Sequence, residues 1–272
     1  MKLNEAARLL SDGGIEDAKR EARLLFSHFL GVSPALLLTE NYESDNEALI
    51  SAVRRRCDRE PLQYIFGEAY FYRERYKVRP GCLIPREDTE ILVDFAVKHI
   101  PKGEGFIDLC TGSGCVAVSV LCNTESTTAV AVDISADALD IARENAELNG
   151  VLGRVEFALR DAMMKPCASE KYFALISNPP YVTHGEYLAL APELYREPKI
   201  AFVGGEDGGD FYRAIVPNYK KAISPRGFMA FEIGKDQGAL LRLIAQENGM
   251  SCEILRDLSH NDRVAVLRYT ES

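Results

Sequence analysis

No stretch of the 272 residues approaches the roughly 20 consecutive apolar residues that a membrane span needs. The opening residues, Met1-Lys2-Leu3-Asn4-Glu5, bring in an acid almost at once, with no apolar run long enough for a signal peptide. A soluble, cytoplasmic protein is therefore expected, with no membrane partner. The seven cysteines, at 57, 82, 110, 115, 122, 167 and 252, are odd in number, scattered and without a Cys-x-x-Cys pair. That argues against a disulfide framework and against a zinc site, and it predicts reduced thiols. His28, His99, His184 and His260 share no ligand spacing, so no metal is expected and none of the four is given a catalytic role. Basic charge is scarce as well. With 32 Lys and Arg against 41 Asp and Glu, the formal charge is −9, which argues against a large nucleic-acid footprint, since duplex binding relies on clustered cations. Arg20, Arg23, Arg54, Arg55, Arg56 and Arg59 are read as a solvated helix face in preference to a docking surface.

Hydrophobic residues make up 47% of the chain, ample for a packed core, and the length suits one large domain or two smaller ones. Up to about residue 60 the apolar spacing is helical, as at Leu24, Leu25, Phe29 and Leu30. Gly13-Gly14, Gly31 with Pro34, and 41–46 punctuate it into three or four short helices. The tyrosine-rich segment 70–78 reads as extended structure or a hairpin ahead of Pro80-Gly81. The expected organisation is a helical bundle over 1–68, a hairpin linker over 69–84 and a larger domain over 85–272. Beyond residue 103 strands alternate with helices: 105–109, 128–132, 154–158, 173–177, 228–233, 252–255 and 263–269. Such alternation predicts a mainly parallel sheet covered on both faces, an α/β fold of Rossmann-like type. Ser135 is placed to cap a helix that Gly150 ends. The last two strands are joined by too short a loop for a crossover and should pair antiparallel. That arrangement resembles the class I S-adenosylmethionine-dependent methyltransferase fold. Segment 182–211, with Gly204-Gly205 and Gly208-Gly209, is long enough to read as a lid or binding loop.

Asp108-Leu109-Cys110-Thr111-Gly112-Ser113-Gly114 lies at a strand end and opens a helix near Cys115. Its glycines let backbone approach a ligand where side chains would collide. Asp133 ends the next strand, where a carboxylate can accept from both ribose hydroxyls; Ile134 follows it. Asp161-Ala162, after the third strand, supplies a second acid where an adenine amino group could be read. A dinucleotide fingerprint spaces its glycines as G-x-G-x-x-G, whereas here Cys110 takes the first glycine position and one residue separates the last two. The pattern fits S-adenosylmethionine better, with its sulfonium near Asp108 and S-adenosylhomocysteine as product. Met163 and Met164 read equally as adenine walls and as core filling.

Asn178-Pro179-Pro180-Tyr181 follows the apolar run 173–177. An amide nitrogen is a poor nucleophile, because its lone pair is shared with the carbonyl. The Asn178 side-chain oxygen and the Pro179 main-chain carbonyl can each accept one hydrogen of a planar NH2 group, pushing density onto nitrogen. Tyr181 can stack on the group, and the prolines supply a stiff turn with no competing N–H. Asn178, Pro179 and Tyr181 are the candidate catalytic residues, with Pro180 beside them in substrate binding. Adenine, cytosine, guanine and glutamine all offer such an amino group. The turn alone leaves the choice open.

Longer motifs narrow it. Pro61-Leu62-Gln63-Tyr64-Ile65 with Gly67, Leu83-Ile84-Pro85-Arg86 through Asp88-Thr89-Glu90, the glycine loop, Val132-Asp133-Ile134-Ser135 and Asn178 to Tyr181 resemble the N(5)-glutamine methyltransferases of the HemK/PrmC type. Glu197-Pro198, 205–208, Glu232-Ile233-Gly234 and Asp262-Arg263-Val264 extend the resemblance over most of the chain. It implies methyl transfer from S-adenosylmethionine to the glutamine of the Gly-Gly-Gln motif in class-1 peptide chain release factors. It also implies that the N-terminal bundle helps dock the release factor, that Gly112, Gly114, Asp133, Ala162 and Asn178 surround the cofactor, and that Asn178 to Tyr181 grip the glutamine. Two departures stand out: Cys110 where the family often has glycine, and Glu87 where it often has proline. A monomer without stable nucleic-acid binding is expected. The rivals are a nucleic-acid amino-methyltransferase using the same turn and a nucleoside-binding module without turnover.

Overall fold

A computed structural model describes residues 1–39 and 41–270. The chain divides into two compact units, one of Met1–Gly67 with Ala191–Arg196, the other of Glu68–Leu190 and the chain from Glu197 on. In the first unit, α1 (Leu3–Asp12), α2 (Ala18–Leu30), α3 (Glu47–Cys57) and the short α4 (Leu62–Phe66) bury Leu10, Leu25, Phe26, Leu49 and Val53 in one core. Asn46 caps α3 by accepting from Ala48 N and Leu49 N, and Gly31 ends α2 in the left-handed conformation.

The arginine-rich end of α3 is not wholly the solvated face its composition predicts. Arg56 is buried, bonded by Glu21 at 2.5 Å and by Glu193 at 3.2 Å, and Arg59 reaches Glu193 at 2.9 Å. The correction has a tertiary cause, since Glu193 arrives from a segment more than 130 residues along the chain.

The second unit opens with a hairpin, β1 (Glu68–Phe71) and β2 (Glu74–Lys77), whose Phe71 and Tyr76 sink into a core cluster. Then follow α5 (Glu90–His99), β3 (Gly105–Leu109), α6 (Cys115–Cys122), β4 (Thr128–Asp133), α7 (Ala136–Leu148), β5 (Val155–Leu159) and β6 (Tyr172–Ser177). After β6 come α8 (His184–Tyr187), α9 (Asp210–Tyr219), β7 (Ile223–Glu232), α10 (Gly238–Glu247), β8 (Met250–Arg256) and β9 (Asp262–Tyr269). The seven-stranded sheet has the order β5-β4-β3-β6-β7-β9-β8; β3 to β7 run parallel, and β9 is antiparallel to both its neighbours. This is the mainly parallel sheet with a terminal antiparallel pair that the alternation predicts.

Side chains alternate between the two faces with the period of a strand. Phe106, Ala174, Ile176 and Ala230 enter the layer with α5 and α6, while Ile107, Leu175, Met229 and Phe231 enter the layer with α9 and α10. Burial on both faces is why these strands read as continuous apolar runs. From β3 the chain winds outward to β4 and β5, then returns to β6 on the other side. This is the strand order that opens a crevice at the carboxyl ends of the parallel strands. The glycine loop, Asp133, Asp161 and Asn178 all follow such ends.

Candidate active site

The glycine loop is held from beneath. Asp108 is buried, and its Oδ2 accepts from the Thr111 hydroxyl at 2.5 Å and from Ala117 N at 3.2 Å. Among the described residues its Oδ1 has no hydrogen-bond partner, and burial pushes its pKa up to about 7. Cys110 turns at φ 60° and Gly112 at φ 55°. A left-handed residue explains why glycine suits position 110, where cysteine carries the Cβ strain. A Cβ at Gly112 would meet no atom within 4 Å, so bare backbone faces open space there. Gly114 serves a different purpose from ligand approach. It turns at φ 78°, and a Cβ would press on Ala142 of α7 at 3.0 Å.

A cavity with about 850 Å³ of empty space, part of it open to solvent, lies over these strand ends. Cys110, Gly112, Asp133, Ile134, Asp161, Ala162, Asn178 and Pro180 line it. Asp108, Thr111, Ser113 and Gly114 do not: they shape the loop from behind. Asp133 Oδ2 accepts from Gly112 N at 2.8 Å and Oδ1 from Ser135 N at 2.9 Å, fixing the carboxylate at the rim. Burial raises its pKa. Two carboxylate oxygens offer about four acceptor positions, so a diol still finds lone pairs there. Asp161 both lines the cavity and caps a turn, accepting from Met163 N at 2.8 Å. Met163 joins the lining, whereas Met164 is exposed.

Asn178 sits between this cavity and the protein interior. Its Nδ2 donates to the Thr89 hydroxyl at 3.2 Å, so the side-chain oxygen is the end of the amide left over. Among the described residues no donor occupies that oxygen or the Pro179 carbonyl. Pro179 and Pro180 are buried, and Ser177 anchors the strand end through a bond to Leu109 O at 2.6 Å. Tyr181 donates to Glu232 Oε1 at 3.0 Å and, with Glu186, Gly234, Gln237 and Arg263, lines a second depression.

Segment 182–211 is a cast around this turn, carrying α8 and several short 3-10 turns. Val182 N donates to Phe202 O, and Gly204 N donates to Val182 O. A Cβ on Gly204 would lie 2.3 Å from Pro180 O, and one on Gly208 2.1 Å from Tyr181 O. Gln237 Nε2 also donates to Tyr181 O at 3.0 Å. Sequence reasoning gave no role to Thr89, Gln237, Glu232 or Arg263, and read the segment with the paired glycines as a lid or binding loop. The one available signal was the glycine pairs themselves, since closely packed backbones demand them.

Comparison with known proteins fits this geometry. Residues 2–67 match the PrmC N-terminal domain and residues 87–206 the methyltransferase small domain. Over 262 residues the chain is 38% identical to the release factor glutamine methyltransferase of Thermodesulfovibrio yellowstonii, covering 93% of each chain. The chain belongs to the release factor glutamine methyltransferases. The family's protein from Geobacter sulfurreducens is 34% identical over 261 residues, 94% of this chain and 91% of that one. An S-adenosylmethionine-dependent O-methyltransferase from Thermotoga maritima shares the fold, with a TM-score of 0.50 at 15% identity over 71% of this chain and 69% of that one. The cofactor is S-adenosylmethionine, and the residues present suit it. Bare backbone at Gly112 and spare acceptor capacity at Asp133, both on the cavity wall, match a ligand with a ribose diol.

Proposed function

We propose that this chain transfers the methyl group of S-adenosylmethionine to the side-chain amide nitrogen of the glutamine in the Gly-Gly-Gln motif of class-1 release factors. The observation that carries this reading is the bond from Asn178 Nδ2 to Thr89, which leaves the Asn178 oxygen as acceptor beside the cofactor cavity. That oxygen and the Pro179 carbonyl each take one hydrogen of the substrate NH2, so the nitrogen lone pair is turned out of conjugation. Tyr181, tied to Glu232, sets the tilt of the planar group. S-adenosylmethionine supplies an electrophilic methyl carbon on sulfur: the C–N bond forms as the C–S bond breaks, and S-adenosylhomocysteine leaves. The methylated nitrogen then loses a proton to water. In-line positioning is the main contribution of the chain.

Two further observations support a protein substrate over a nucleic acid. None of the residues lining the cofactor cavity is lysine or arginine, and in the second depression Lys235 and Arg263 are matched by Glu186 and Asp236. Base-modifying enzymes need cationic surface to hold a strand. In this reading the helices of 1–68 dock the release factor, 69–84 joins them to the methyltransferase domain of 85–272, and the enzyme works as a cytoplasmic monomer without stable nucleic-acid binding. Among the described residues no helix is long and apolar enough to cross a membrane.

The test is labelled methyl transfer to a purified class-1 release factor, with the label located by mass spectrometry. Label on the Gly-Gly-Gln glutamine is expected. Label on rRNA or DNA instead would overturn the assignment. Asn178→Ala should still bind S-adenosylhomocysteine and lose on the order of a hundredfold in kcat, the scale of a deleted charge-stabilising contact.

A further inference from the structure

Two segments distant in sequence contribute to the wall of the cofactor cavity. Gly81, Cys82 and Leu83 line it from one, and Pro198, Ile200 and Ala201 from the other. Each has an anchor of its own. Cys82 packs with Ala138 and Ile141 of α7, and just past Ala201 the bond from Val182 N to Phe202 O ties the chain to the strand-end turn. What joins the two segments to each other is Glu197, a carboxylate whose side chain is 1% exposed. Its Oε2 accepts from Ile84 N at 2.8 Å, across 113 residues of sequence, and its Oε1 accepts from the Arg86 guanidinium.

The placement of this side chain gives it leverage over the wall. Ile84 directly follows Leu83, and Glu197 directly precedes Pro198, so the two segments cannot part without breaking the bond between them. That bond is charge-assisted and lies in the interior, where it is stronger than a neutral surface bond. Removing the carboxylate would strand a buried main-chain N–H and leave Arg86 without its counter-ion. We propose that Glu197 is a positioning residue for the methyl donor: it clasps Ile84 and Arg86, joins the two wall segments and preforms the cavity. The cost of ordering the wall then falls on folding and not on donor binding. Glu197 stands behind the lining and not in it, so its effect belongs to donor affinity and not to the transfer step. This inference rests on placing S-adenosylmethionine in that cavity.

Calorimetric binding of S-adenosylhomocysteine and steady-state methyl transfer to a release factor, both on the full chain, test it. Glu197→Ala should raise the S-adenosylhomocysteine Kd and the KM for the methyl donor about tenfold or more, while kcat at saturating donor stays within about threefold. Arg86→Met spares the bond to Ile84, and Glu197→Gln keeps an oxygen for it, so each should raise Kd less than Glu197→Ala does. Hydrogen exchange read by mass spectrometry should show 81–86 and 198–202 opening together in Glu197→Ala and closing again when S-adenosylhomocysteine binds. Wild-type affinity in Glu197→Ala, a fall in kcat with affinity unchanged, or faster exchange in one segment only would overturn the proposal. If Glu197→Ala does not fold, the two milder variants decide it: a Kd raised about twofold to fivefold supports the clasp, and wild-type affinity in both removes it. Asp133→Ala separates the levels: if it binds S-adenosylhomocysteine as the wild type does, the placement of the cofactor fails and the clasp with it; if it loses binding while Glu197→Ala keeps it, only the clasp fails.

Discussion

Three acids at this site, the buried Asp108 and Glu232 and the half-buried Asp133, carry pKa values raised above their ordinary range, chiefly through desolvation. Each occupies a place where a carboxylate bonds backbone or hydroxyl donors, so the same desolvation that raises the pKa is offset in part by those bonds. For Asp108 the consequence is measurable. The folded chain holds its proton up to about pH 7, against an ordinary value of 3.8. Its contribution to stability is therefore fully present below about pH 3.8 and is lost as pH rises through about 7, with Asp133 and Glu232 acting in the same direction. Stability of the ligand-free protein, measured by urea unfolding across pH 4 to 8, should show this downward term, and Asp108→Asn should flatten it. The difference in slope should integrate to at most a few kcal/mol. Identical pH profiles for the two proteins would remove Asp108 from the account.

At the scale of elements, the proposed substrate-binding turn at 178–181 has another element cast against it. The bonds joining Val182, Phe202 and Gly204 form a short backbone ladder, and the missing side chains at Gly204 and Gly208 let it approach the carbonyls of Pro180 and Tyr181. Gly204→Ala would put a Cβ 2.3 Å from Pro180 O, where only backbone is available to yield. The expected cost is about 1–3 kcal/mol of stability, typical of forced overpacking, together with a fall in kcat as the turn shifts. Denaturant unfolding and the methyl-transfer assay check both. Unchanged kcat would show that the loop does not set the turn's geometry.

At the scale of the whole molecule, the segment that leaves the turn at 178–181 runs on to Ala191–Arg196, which belongs to the helical unit. Within that unit Arg56 stands between Glu21 and Glu193. Arg56→Ala would leave the partly buried Glu21 carboxylate without its cation and Glu193 with Arg59 alone, and breaking a buried pair on one side costs about 3–5 kcal/mol. A loss of that size in the denaturation of the full chain is expected. A loss within the roughly 0–1 kcal/mol of an exposed ion pair would mean that the cluster is solvated after all.

The amino-acid sequence by itself determined the sheet, because two-sided burial writes each parallel strand as an apolar run and each turn in glycine, proline or a capping residue. It also marked Asp133, Asp161, Gly112 and Asn178, since each lies at or within three residues of a strand end, and the structure brings all four to one cavity. Tertiary structure alone decided that Asp108 works from beneath the glycine loop, that Gly114 packs on Ala142, that Arg56 is buried and that the paired glycines embrace the turn. It alone brought Thr89 to Asn178 and Glu232 to Tyr181. Local pattern encodes what a residue does to its own backbone. The orientation of a side-chain amide depends on a proton donor or acceptor contributed by distant elements, and no periodicity records it.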